Sequence, residues 1–222
     1  MSSPMPDLSP LEARILGVLV EKEKTTPDTY PLTLNSLAAG CNQKTSRDPV
    51  MSVSESEIQG ALEELRGRLL VMETYGASGR VLRYAHNFGK CYGVPAGSVA
   101  LLAVLMLRGA QTVSELRANC ERLYRFDDAS SVEGYLEELA TRTAGALVLK
   151  LSKQPGEREH RWVHLLCGAV IVAESAVRPN VGGGDNAALE ERLTRLEQEV
   201  ADLRAELAQL TAGSAGKTNT NA

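Results

Sequence analysis

The chain has 222 residues, 43% of them hydrophobic and 23% charged, and its 24 basic and 28 acidic side chains give a net charge of −4. That composition excludes disordered and fibrous classes. It also means that any contact with nucleic acid must come from local patches and not from the field of the whole molecule. The cysteines at 41, 91, 120 and 167 form no CxxC pair and no dense disulfide framework, which points to a reducing compartment. The segment MSSPMPDLSP lacks the basic and apolar regions of a signal peptide, and the longest uncharged apolar run, 94–107, is too short to span a bilayer. A cytoplasmic protein without membrane contact is expected.

In chain order, Ser9, Pro10 and Glu12 supply a cap, a first-turn proline and a capping-box acid, and Leu11, Ile15, Val18 and Leu19 then line one helical face. Residues 33–43 read as a second helix. Ser54 and Glu57 form another S-x-x-E box before a third, with Ile58, Ala61, Leu62, Leu65 and Leu69 at helical spacing. The period then changes to that of strands: 70–75 and 81–86 flank the glycine-bearing turn 76–80, a β-hairpin. The same order returns. Residues 101–106 read as a helix, Thr112 with Glu115 opens another, Ser130 with Glu133 opens a third that buries Val132, Tyr135, Leu136 and Leu139, and 147–153 with 161–166 flank the turn 154–158.

The return is a repeat. ILGVLV at 15–20 matches LLAVLM at 101–106, TLNSLAAGCNQ at 33–43 matches TVSELRANCER at 112–122, and IQGALEELRGR at 58–68 shares six of eleven positions with VEGYLEELATR at 132–142. Three helices followed by a hairpin is the winged-helix order, in which helices two and three form a helix-turn-helix and the hairpin is the wing. The expected fold is α+β and mainly helical: a winged-helix domain at 1–90, a second at 91–177, a flexible linker at 178–188, a coiled-coil helix at 189–211 and a disordered tail at 212–222. In the coiled-coil segment Leu189, Leu193, Leu196, Val200, Leu203, Leu207 and Leu210 alternate spacings of four and three. In a parallel dimer Arg192 would face Glu197 of the other copy and Glu199 would face Arg204, so a homodimer through this helix is expected; the alternative is a solvated helix folding back onto the body.

The third helices begin with acids, which stabilise the helix dipole but repel phosphate. Residues 1–90 carry 10 basic and 11 acidic side chains, and 91–178 carry 10 and 10, so neither module is basic. The segment that looks purpose-built is the extra stretch between helices two and three of the first copy: Asn42, Gln43, Lys44, Thr45, Ser46, Arg47 and Asp48, followed by Pro49, which restricts Asp48 to extended geometry. Turned outward, its cations, amides and hydroxyls could contact phosphates or a partner carboxylate. Otherwise it is a structural loop in which Asp48 pairs with Arg47 or caps helix three. The hairpin cations Arg80, Arg83, Lys150, Lys153, Arg158 and Arg161 are the other candidate phosphate contacts.

The run TPDTYPLTLNSLAAGCNQKTSRDPVMSVSESEIQGALEELR, the capped opening LSPLEARILGVLVEKE and the stretch LRGAQTVSELRANCERLYRF resemble the YceH-like family of bacterial proteins over about residues 8–168. The resemblance implies a cytoplasmic pair of winged-helix domains and supplies no catalytic residues. Enzymatic constellations are weak. His160 and His164 would lie roughly 13 Å apart on a strand, too far to share one metal, and Cys41 and Cys120, at equivalent positions, read as small core residues and not nucleophiles. No cofactor, metal or catalytic residue is expected. Two readings stand. The first is a DNA-binding, transcriptional-regulator-like protein; the second is a protein-interaction module, similar in architecture to segregation and condensation protein B, that uses its acidic third helices. DNA binding is placed first on fold precedent.

Overall fold

A computed structural model describes residues 7–75, 79, 81–153 and 156–168. Helix α1 (Pro10–Thr25) starts as its sequence dictates, with the Ser9 hydroxyl accepting from the Glu12 N–H and the Glu12 carboxylate accepting from the Ser9 N–H. Every residue from Glu12 to Val20 is buried, not one stripe of them. A helix covered all round lies at the centre of a core. Its counterpart α5 (Ala96–Arg108) is likewise buried from Ala100 to Leu107. The two pack directly on one another: a Cβ added at Gly17 would stand 2.9 Å from Leu107 Cγ and 3.4 Å from the Ala103 carbonyl oxygen. This pairing joins both repeats into one continuous apolar cluster.

Around α1 stand α2 (Leu34–Cys41), capped by Thr33, and α3 (Glu55–Gly67), whose Ser54–Glu57 box forms in full. An antiparallel ribbon follows, β1 (Val71–Tyr75) with β2 (Leu82–His86), registered with Glu73 opposite Tyr84. The short helix α4 (Phe88–Tyr92) ends at Gly93, whose φ of +61° suits glycine, and leads into α5. Then come β3 (Gln111–Thr112), α6 (Val113–Cys120), capped by the Thr112–Glu115 box, α7 (Ala129–Ala140), β4 (Val148–Lys150) and β5 (Arg161–His164). The second sheet runs β3-β5-β4 and is antiparallel throughout. A single bridge from Leu32 to Tyr84 does in the first half what β3 does in the second: the residues before the second helix pair with the ribbon's second strand.

The architecture is α+β, seven α-helices among the described residues with small antiparallel sheets, and both ribbons fall where the strand period predicts them. Several details differ. Helix α7 starts two residues early, because the Asp128 carboxylate accepts from the Ser131 N–H at 2.7 Å and forms the cap in place of Ser130. Leu69 is not on the buried face of the third helix; it follows the helix end, takes φ +59° and is 69% exposed. The linker, the heptad leucines 189–210 and the tail lie outside the described residues, as does Arg80.

Candidate functional site

The 42–48 segment leaves Lys44, Thr45 and Asp48 exposed but is otherwise held inward. It is lashed to the carboxy ends of α2 and α5, where backbone carbonyls lack intrahelical donors. Arg47 Nε donates to the Gly40 carbonyl at 3.1 Å. The Asp48 N–H donates to the Leu107 carbonyl at 2.8 Å, and Arg108 reaches the Ser46 hydroxyl at 2.8 Å. From α1, Arg14 donates to the carbonyls of Cys41 at 3.1 Å and Pro49 at 2.6 Å. Cations near helix carboxy ends are favoured by the helix dipole as well as by these bonds. Asn42 closes the loop, its amide exchanging two 2.8 Å bonds with the Val53 backbone.

The Arg47 side chain is fully buried and held by both oxygens of Glu21, so the expectation that it projects towards a phosphate is corrected. Gln43 supports it, with Oε1 accepting from Arg47 Nη2 at 3.4 Å. Asp48 points its carboxylate towards Gly109, not Arg47, and Ser54, not Asp48, caps α3. Burial and the neighbouring Arg47 charge push the Arg14 guanidinium below its ordinary pKa. Glu21 is held below the usual carboxylate range even though burial works the other way, because the Arg47 hydrogen bonds and charge, aided by Lys22, outweigh it. Lys44 and Thr45 remain on the outside.

The ribbon cations divide in the same way. Arg83 donates to the carbonyls of Thr29 and Pro31, at 3.2 and 2.7 Å. Arg161 is bidentate to Glu115, at 2.9 and 3.2 Å, also donates to the Ala110 carbonyl, and lies 3.4 Å from Glu157. Both anchor the segment before a second helix to its ribbon. Lys150, Lys153 and Arg158 are exposed and converge on one groove of about 300 Å³. Its other walls are the amino ends of α6 and α7, at Ser114 and Ala129, and Trp162 lines it below Lys150, whose ammonium lies 5.3 Å from the ring centre. Glu133 accepts from Lys150 at 3.1 Å and Glu159 from Ser114 at 3.2 Å, which leaves three cations against two carboxylates. Sequence reasoning had the three cations but not the Ser114 and Trp162 that share their groove. The signal was present in the Thr112–Glu115 box, which places Ser114 in the first turn of α6.

Cys41 and Cys120 are buried, and desolvation pushes each thiol up to about 12. His160 contacts the Leu151 carbonyl through Nδ1 at 2.8 Å, whereas His164 Nδ1 is buried without a partner. Among the described residues no group of three or more His, Cys, Asp or Glu side chains is placed to hold a metal ion, and no helix is long and apolar enough to cross a membrane.

These halves define a class, an α+β protein of two three-helix-and-ribbon units fused through their first helices. The chain belongs to the family described as "Protein of unknown function, DUF480", which matches residues 8–157. It is similar to a UPF0502 protein of Leptothrix cholodnii, 55% identical over 204 residues (92% of this chain and 90% of the relative), and to a UPF0502 protein of Dechloromonas aromatica, 55% identical over 207 residues (92% and 96%). A UPF0502 protein of Burkholderia ambifaria is 53% identical over 206 residues (93% and 86%). The resemblance to a family of bacterial proteins over about residues 8–168 is borne out.

Proposed function

We propose that the chain is a non-catalytic, regulator-like DNA-binding protein of two winged helices, and that its second half makes the principal contact with the duplex. The observation that carries this reading is the groove in which the amino ends of α6 and α7 meet Lys150, Lys153 and Arg158 of the ribbon. In a winged helix those three elements approach the phosphate backbone together, and helix amino ends and cations attract the same anion. Glu133 and Glu159 weaken the field, so the contact is backbone-positioning and of modest affinity. Pairing of the heptad 189–210 between two copies, also a proposal, supplies the second attachment that makes such a contact useful.

The test is fluorescence anisotropy of a labelled duplex titrated with full-length protein across a salt series. Binding weakens steeply with salt, and replacing Lys150, Lys153 and Arg158 by alanine flattens the slope by about 0.9 for each phosphate contact removed. Absence of binding at low salt, or an unchanged slope in the triple variant, removes the proposal.

A further inference from the structure

The first half presents a different surface at its ribbon. Among the described residues β1 pairs with β2 alone, so the outer edge of Val71–Tyr75 is a row of unpaired backbone donors and acceptors. Natural proteins guard such edges by keeping them short or by placing lysine or proline on them. In the second half β4 is guarded in both ways, being three residues long and ending in Lys150. The β1 edge has five residues and no lysine or proline; its one charge is the Glu73 carboxylate, which deters an acidic or like strand but not a cationic one, and it keeps Met72 at 48% and Tyr75 at 68% exposure.

We propose that the β1 edge takes an extended segment of another protein as an added strand, with side chains that alternate between cationic and apolar. The alternation follows from the pleat, because successive side chains of an added strand fall on opposite faces of the ribbon. One face carries Glu73 and Tyr75. Against it stands α3, whose Arg66 donates to both Glu73 oxygens at 3.0 Å and whose Glu63, three residues earlier on the same helical stripe, is exposed. Two carboxylates against one guanidinium, beside an exposed aromatic ring, suit a lysine or arginine. The other face carries Met72, which suits an apolar side chain. A second copy of this chain fits less well, because two-fold antiparallel pairing centred on β1 sets Glu73 against Glu73. The carboxylates also repel a nucleic-acid backbone.

The test uses full-length protein and, as probe, a fluorescein-labelled peptide of about eight residues alternating lysine and valine, with a glutamate–valine peptide of equal length beside it. Binding is read by anisotropy and the β1 amides by hydrogen exchange. The lysine peptide slows exchange at residues 71–75; Met72→Lys and Glu73→Lys each weaken it about tenfold by guarding the edge or reversing its charge, and Leu149→Lys on β4 leaves it unchanged. Thermal unfolding of each variant shows that it is folded. The proposal is overturned if both peptides bind alike, or if the lysine peptide leaves β1 exchange unchanged. It is also overturned if the outward-facing amides of β1, those not bonded to β2, are already protected in the free monomer, become protected as protein concentration drives self-association, or become protected by duplex DNA.

Discussion

Arg47 and Glu21, 26 residues apart, meet through two hydrogen bonds, Nη1 to Oε1 at 3.1 Å and Nη2 to Oε2 at 2.6 Å, with the arginine side chain wholly buried and the glutamate 17% exposed. Removing one member of such a pair leaves the other charge without a partner in a desolvated site. Arg47→Met is expected to lower stability by about 3 kcal/mol, read by urea unfolding. If the protein binds a duplex as proposed, the folded fraction should show the same salt dependence as the unaltered protein, because this guanidinium faces Glu21 and backbone carbonyls and not solvent. A flattened slope would restore Arg47 as a phosphate contact.

The contact between α1 and α5 gives a second expectation. A methyl group at Gly17 would press on Leu107 at 2.9 Å in a filled core, whereas one at Gly60 or Gly134 would meet nothing within 4 Å. Gly17→Ala should destabilise by about 1–3 kcal/mol through overpacking. Gly60→Ala and Gly134→Ala, in the middle of α3 and α7, should each stabilise by about 0.5–1 kcal/mol through reduced backbone entropy. Thermal melts of the three variants separate the two signs.

Acid should weaken the fold in two stages. Burial lowers His164 from its ordinary 6.5 to about 4, and burial also lowers His86 despite the pull of Glu23 3.5 Å away. Between pH 6.5 and 4 the unfolded chain therefore holds a proton at His164 that the folded chain does not, and stability falls as pH drops through that window; His86 acts in the same direction below 6.5. The His164 contribution is on the order of 3 kcal/mol and is lost as pH falls through about 4. Glu21 acts at lower pH: its depressed pKa contributes stability above the usual carboxylate range, which is lost as pH falls through its folded value. Denaturant midpoints measured from pH 7 to 3 should be flatter above pH 4 in His164→Gln.

The ribbon cations should separate by phenotype. Arg161→Ala breaks the bidentate contact with Glu115 and the bond to the Ala110 carbonyl, so it should loosen β3 against β5, read as faster amide exchange at residues 111–112 and 161–162. Arg158→Ala should leave that exchange unchanged and weaken duplex binding instead.

Six helices and both ribbons were legible because capping boxes and a change of period are local signals and the duplicate copy repeats their order; α4 has no side-chain cap and left no such signal. The helix of the second copy read at 101–106 begins at Ala96, where no side chain caps it, and the misplaced start of α7 came from two eligible caps: Asp128 and Ser130 both precede the apolar run, and the carboxylate takes the Ser131 N–H. The segment 42–48 misled for a different reason. A run of amides, hydroxyls and cations reads as a solvated surface, and nothing within it announces that Glu21 lies across the core or that the carbonyls of Gly40 and Leu107 await donors. The hint was positional, since the segment opens directly on the end of α2 at Cys41, where donors are in demand, and Arg47 lies within reach of it. The short pairings at Leu32–Tyr84 and Gln111–Trp162 left no strand period at all, and their existence depends on tertiary approach.

Because α1 is covered on all sides from Glu12 to Val20 and its Gly17 receives Leu107 of the other repeat, neither unit is expected to fold alone. A fragment cut near residue 90 would bare the flank of α1 that α5 covers, and would be expected to clump or recruit a surrogate helix. The two copies are thus expected to travel as one piece, since the seam where α1 meets α5 is a core that neither completes alone.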